Sequence, residues 1–464
     1  MPSVVFLEFN ELSPPLMSRF IAEGHLPNFA RLRRESEVYT TQAREEPPAL
    51  EPWIQWVNVH SGLDYAEHGI FNLDEGQKLD RPRIWDVVAA AGHRVLVCGS
   101  MNVRYDLPLD GVVIPDPWGQ VPPHPKSLEP YFRFIQKNVT EYTRNKLPLG
   151  LSDYASFLAF MATHGLSTTT VTALVRQLLR ERGGRNRWKR ATLLDKLQFD
   201  VFAWHYKRLR PSFSTFFANS TAHFQHLYWR NLEPDLFQAR PSAEEQAEYA
   251  TAVRYGYQEM DALVGRFYDL VGDDTTLVLC TALSQQPCLK YEESGGKVWY
   301  RPQDFAKLLQ FAGVQDRARV SPVMSEEFHV YCERLEDERV VGERLRALRV
   351  GDRPALRVRA HEGGYLAGCG LFDAVADDAT VLRPDTGATT RFSDLFYRVQ
   401  GVKSGMHHPE GMLWVRTPAK AHTEVPGHVP LEAIAPTVLR WLNLPKPAHM
   451  KGDVLPAAEA PVAA

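Results

Sequence analysis

Four short blocks of this chain bring together carboxylates and imidazoles, the groups that move protons or hold metal ions. VVFLEFN is an apolar run that stops at Asn10 and is followed at once by Glu11. EEPPALEPWIQWVNVHSG carries Glu51 and His60. STAHFQH contains His223 and His226, and GMHHPEGML supplies His407, His408 and Glu410. A carboxylate beside an imidazole suits general acid–base work or a carboxylate nucleophile, and the same groups bind divalent cations. Each residue also has a plainer reading. Asn10 suits a helix cap, Glu11 a surface ion pair, and His223 and His408 structural imidazoles. Glu51, set next to apolar EPWIQW, needs a partner or a purpose. Motifs for dinucleotide binding, P-loops, H-E-x-x-H metalloproteases and G-x-S-x-G hydrolases are absent.

The elements that must position these groups alternate between strand and helix. An apolar run ending in a polar residue reads as a buried parallel strand delivering a side chain to the sheet end, where open α/β sheets bind ligands. Strands are expected at 4–10, 93–99, 211–220 and 273–283, with a short edge strand at 110–114. Amphipathic helices are expected at 15–33, 85–91 and 245–271, and the last apolar block closes the chain as a helix. This alternation predicts an α/β fold, a mainly parallel sheet with helices on both faces. Two interruptions stand out. Residues 123–210 form a helical insertion, and 284–364 a smaller cap insertion with a Gly363–Gly364 loop. The core is then 1–122, 211–283 and 365–453, with a loose tail at 454–464.

Composition narrows the partners. The chain has 464 residues, 44% hydrophobic and 23% charged, with a formal net charge of −3. That is ordinary globular composition with no global attraction to nucleic acid. No apolar run approaches the length of a membrane span. The start lacks a signal-peptide pattern, and five cysteines without C-x-x-C spacing read as free thiols, so a cytoplasmic location is expected. A Cys280–Cys288 metal pair is the lesser alternative. The stretch Arg176–Arg190 holds seven Arg and Lys residues. It reads as a solvated helix end, with a polyanion or a membrane face as the functional alternative.

The order HLPNFARL, PPALEPWIQWVNVHSG and HGIF resembles the type I phosphodiesterase/nucleotide pyrophosphatase branch of the alkaline phosphatase superfamily. So do the later blocks STAHFQH, GMHHPEGML and APTVLRWLNLPKP. The resemblance implies an alkaline-phosphatase-like fold, two zinc ions and a Thr nucleophile. It also locates the departures. Asn10 stands where a metal-binding Asp is expected, Glu51 or Pro52 where the nucleophile is, Ala222 in place of an Asp, and Ala282 and Leu283 in place of Asp and His. Of the implied metal ligands, His226 and His407 survive, and both belong to one site. Two-metal phosphoryl transfer needs both cations, so at most one divalent ion is expected.

The resulting expectation is a phosphodiesterase-like hydrolase or transferase of altered chemistry, with Glu51, His226 and His407 catalytic. Asn10, Glu11, His60, Arg104, Asp106 and His408 are expected to bind substrate, and His226 and His407 to hold any single metal ion. The expected partner is a phosphorylated small molecule: a sugar phosphate, a nucleotide sugar or a glycan precursor. The alternative is a non-catalytic relative that binds a ligand or a partner protein.

Overall fold

Both faces of the first strand, β1 (Ser3–Phe9), are buried and largely apolar, and this places it inside a sheet covered on both sides. Val4 and Phe6 point into one hydrophobic cluster; Val5, Leu7 and Phe9 point into another. The computed structural model describes residues 2–140, 149–290, 292–294, 298–321, 327–361 and 363–455. After β1 come α1 (Pro14–Ala22), α2 (Pro27–Arg34), β2 (Glu37–Gln42) and α3 (Pro52–Ser61). The single helix expected at 15–33 is therefore two. Gly24 takes a left-handed φ of 77° and Pro27 opens the second helix, so the chain turns between them.

The strands β3 (Val95–Cys98) and β4 (Gly111–Ile114) precede the helical insertion: α4 (Glu129–Thr140), α5 (Leu151–Thr163), α6 (Thr168–Arg180) and α7 (Ala191–Leu209). The core resumes with β5 (Phe213–Ala218) and α8 (Ser220–Leu232), then α9 (Ala243–Tyr249) and α10 (Ala252–Leu270). Here too one expected helix, 245–271, is two. β6 (Thr275–Cys280) and β7 (Ser284–Pro287) lead into the cap. The chain returns through β8 (Gly405–His408), β9 (Glu410–Arg416), β10 (Thr423–Pro430) and α11 (Ile434–Trp441).

The main sheet has the order β10-β2-β9-β6-β1-β5-β3-β4. β1 runs parallel to β5 and β6, and β3 runs parallel to β4 and β5. β9 is antiparallel to both of its neighbours, and β2 is parallel to β10. The fold is thus mixed α/β on a mostly parallel sheet. The ends of β1, β5 and β6 and the start of β9 meet at one edge, and the candidate site lies there.

The cap is larger than the sequence suggested. Its antiparallel strands include Phe328–Cys332, Leu356–His361, Gly364–Cys369 and Thr380–Arg383, and Val298–Pro302 pairs with Phe396–Val402. Its own hydrophobic cluster runs from Tyr300 to Phe396. The expected boundary at 364 falls inside it, because Gly363–Gly364 turns a hairpin between two paired strands instead of leading back to the core. Residues 456–464 of the expected tail lie outside the described residues. Among the described residues no helix is long and apolar enough to cross a membrane, and Cys98, Cys280 and Cys332 are free thiols.

Candidate functional site

The chain turns sharply where β1 ends. Glu11 adopts a φ of 61°, a conformation few non-glycine residues hold without local compensation. Its backbone is pinned on both sides, with Gln225 Nε2 donating to the Glu11 carbonyl at 2.7 Å and Asn10 N donating to Ala218 O at 3.0 Å. The turn aims the Glu11 carboxylate, 1% exposed as a residue, at two imidazoles. His226 Nε2 lies 3.1 Å from Glu11 Oε2, and His407 Nε2 lies 3.4 Å from the same oxygen. Gln285 Nε2 donates to Oε2, and Asn10 Nδ2 donates to Oε1 at 2.7 Å.

Two layers hold this centre in place. Trp56 Nε1 donates to Asn10 Oδ1 at 2.8 Å, and Asn10 Nδ2 reaches Asn219 Oδ1 at 2.7 Å. Tyr257 from α10 hydrogen-bonds Gln225 Oε1 at 2.7 Å and accepts from Ser13 N at 2.7 Å. The register of the β7–β8 ribbon sets Gln285 opposite His407. None of these supports announces itself by spacing in the sequence; they meet only through tertiary pairing.

The tautomers are fixed by partners that can only accept. His226 Nδ1 donates to Gly405 O at 3.0 Å, and His407 Nδ1 donates to Leu50 O at 2.9 Å. Each Nδ1 therefore carries the hydrogen, and each Nε2 faces Glu11 either protonated or as a bare lone pair. Two bare lone pairs against a carboxylate would repel, so the centre needs a proton or a cation between them. Burial opposes ionising Glu11, but His407 and His226 together hold its carboxyl well below the usual range. Burial likewise disfavours the charged imidazoles. His226 is lowered on balance, whereas Glu11 and Glu51 turn the balance upward for His407.

Glu51 is the residue before α3, in extended conformation (φ −125°, ψ 140°), with Pro52 opening the helix. Its carboxylate does not cap the helix; Oε2 lies 3.5 Å from His407 Nδ1. Burial pushes the Glu51 carboxyl up to about 7, against the pull of His407 and Lys403. The Lys403 ammonium sits 5.0 Å from the Trp299 ring centre, at the cap side of the site.

Several expected substrate contacts lie elsewhere. His60 is 1% exposed and pairs with Glu8 Oε1 at 2.7 Å, between Trp56 and Trp85. The reason is periodicity. Glu8 and Asn10 share one face of β1 and meet His60 and Trp56, one helical turn apart on α3, so His60 sits about 6 Å deeper. Arg104 bonds Leu79 O at 2.8 Å and the exposed carboxylates of Asp80 and Asp106. It follows β3, two strands from β1 in the sheet. His408 neighbours His407 on β8 and so points to the opposite face, where its Nδ1 accepts from Glu410 N. Cys280 and Cys288 are both buried and take no part in the candidate metal cluster. A cavity of about 770 Å³ lined by Gln303, Lys307 and Asp394 lies in the cap and includes none of the site residues.

Metal capacity follows from the donor set. Among the described residues, one group could hold an ion: Glu11, His226 and His407, whose ligating atoms lie within 4.8 Å of one another. Ligands on one tetrahedral ion at 2.0–2.1 Å lie about 3.3 Å apart, close to the distances found here. The locked Nδ1–H groups and the hydrogen-bonded carboxylate match what metal ligands usually receive from their surroundings. A second ion finds no support. Ala222, Ala282 and Leu283 are buried apolar residues, and Asn10 is spent on Trp56, Asn219 and Glu11.

No family model and no curated protein matches the sequence. Among solved structures the chain is similar to phosphonoacetate hydrolase from Sinorhizobium meliloti 1021 in complex with phosphonoformate, at 13% identity over 92% of each chain with a TM-score of 0.45. It is also similar to murine ectonucleotide pyrophosphatase/phosphodiesterase 5, at 10% identity over 97% of each chain with a TM-score of 0.44.

Proposed function

We propose that this chain is a divergent member of the alkaline phosphatase superfamily, a cytoplasmic enzyme acting on a phosphorylated substrate by hydrolysis or group transfer. The observation that carries this reading is the pairing of Glu51, a carboxyl held near neutrality, with His407 at 3.5 Å, beside the Glu11–His226–His407 centre. A carboxyl with a pKa near the working pH is both a competent base and a competent acid. As a carboxylate, Glu51 takes the proton of an attacking water or hydroxyl; as a carboxylic acid, it returns a proton to the leaving oxygen. His407 orients that carboxyl through its Nδ1 face and is itself fixed by Leu50 O. Glu11 favours the charged form of both imidazoles against the effect of burial. A single divalent cation held by Glu11, His226 and His407 would supply Lewis-acid polarisation of a phosphoryl oxygen. Sugar phosphates, nucleotide sugars and glycan precursors are the substrate class we infer.

The test is Glu51→Gln, screened for phosphate release or transfer on a panel of such compounds. Activity falls by roughly 10²–10⁴-fold, the usual contribution of a positioned acid–base group, while the melting temperature holds or rises. The competing reading is a ligand-binding protein without catalysis. It prevails if Glu51→Gln destabilises the fold by several kcal/mol, as loss of a buried ion-pair partner does, and leaves ligand binding unchanged.

A further inference from the structure

The helical insertion carries a surface that the site does not use. α5 and α6 each turn one face inward. On α5, Phe157 stacks on Phe134 of α4 at 3.9 Å between ring centres, and Phe160 and Met161 are buried beside it. On α6, Thr170 and Gln177 are buried. The outward faces are apolar where a solvated helix would be polar. Leu151 is 90% exposed, Leu158 58%, Leu178 60% and Leu179 52%, joined by Tyr154, Val171 and Val175. Of the twelve exposed large hydrophobic side chains among the described residues, these two helices hold seven.

Val171, Val175, Leu178 and Leu179 fall at i, i+4, i+7 and i+8, one stripe of α6. Arg176 and Arg180 lie one turn apart on the adjoining stripe. Arg182, Arg185 and Arg187 follow directly, all exposed. Among the described residues none of these five arginines has a carboxylate partner. Only Arg190 and Lys189 are tied back to the fold, by Glu181 and by the Trp188 and Tyr255 rings.

We propose that the outer face of α6, with the arginine-rich turn that follows it, docks on an anionic lipid bilayer. Leucine and valine beside unpaired arginine is the pattern of a helix lying in the headgroup layer, apolar side down and cations at the phosphates. The charge decides between occupants. A second copy of this chain would set arginines against arginines, and a nucleic acid would satisfy the arginines but leave the leucines in water. With a net charge of −3 the whole molecule has no general attraction to anions, so the attraction is local to this patch.

The experiment is co-sedimentation of the full chain with vesicles of phosphatidylcholine, alone or mixed with phosphatidylglycerol. The chain sediments with the mixed vesicles and not with the neutral ones, and added salt weakens it. A basic residue near such a surface is worth about fivefold in partitioning. Arg176→Gln/Arg180→Gln/Arg182→Gln therefore loses roughly a hundredfold, and Leu178→Ser/Leu179→Ser roughly tenfold or more. These side chains are exposed, so melting curves stay at the parental value. Hydrogen exchange on the unaltered protein gives an independent reading, with vesicles slowing exchange across Thr168–Arg180. Three results overturn the proposal: no binding to mixed vesicles; binding to RNA that needs the arginines and ignores the leucines; or a dimer in solution that Leu178→Ser/Leu179→Ser abolishes.

Discussion

Glu11 carries more of the site than its place in the sequence suggests. It follows a strand-ending residue that resembles a lost metal ligand, and by type alone it could be a surface acid. What distinguishes it is its left-handed backbone and the meeting of His226, His407 and Gln285 around one oxygen, none of which spacing reveals. Glu51 was easier to find, because an acid embedded in EPWIQW asks for an explanation. Because Glu11 faces two imidazoles, protons and a divalent ion compete for the centre, and metal affinity falls as pH falls. Elemental analysis should return at most one divalent ion per chain, and Glu11→Gln should abolish it; two stoichiometric ions would refute the site as drawn. A chelator should lower the melting temperature at pH 8 and much less at pH 5.5, where a proton on His407 takes over the pairing with Glu11. Equal shifts at the two pH values would remove the competition argument.

Among the elements, strands were the most legible, since β1, β5 and β6 are buried and largely apolar runs whose bounds follow from the sequence to within a few residues. Helix continuity was not. The breaks before Pro27 and near Thr251 interrupt patterns that keep their apolar period across the break. The β7–β8 ribbon was invisible as a pair, because its strands are separated by the whole cap. It is also where the site tolerates least. A Cβ on Gly405 would lie 2.4 Å from Gln285 Oε1 and 2.5 Å from Gln225 O, while the Gly405 carbonyl holds His226. Gly405→Ala should therefore reduce activity and metal affinity by tenfold or more, the order seen when groups that orient metal ligands are lost. The same change at Gly427, which has open space around it, should leave the site intact, although its φ of 84° makes it locally strained. Parallel metal titrations of the two variants give the comparison.

For the whole molecule, the alternation of strands and helices made the fold class readable, while the extent of the cap was not, since its strands are short and pair among themselves. Three histidines make the folded state sensitive to acid. Burial lowers His68 to about 3, and His205 and His223 to about 4. His68 is locked neutral, its Nδ1 accepting from Ile70 N and its Nε2 meeting Asn58 Oδ1 at 2.7 Å. A folded pKa below the unfolded one gives stability that is complete above about 6.5 and is lost as pH falls toward the folded values. Urea midpoints should thus drop between pH 6.5 and 4, and His68→Gln should flatten that slope even if it lowers the midpoint at pH 7.5. The strand order has a further effect, on time. β9, residues 410–416, is wedged between β6 and β2, so the sheet has a gap in its interior until that late segment is made. At roughly 5–20 residues per second, the ribosome needs about 20 to 80 seconds to reach it. Through most of that interval β2, and for about its last third β6 as well, present unpaired edges, and the nascent chain depends on chaperones, or on speed, to keep them from the wrong partner.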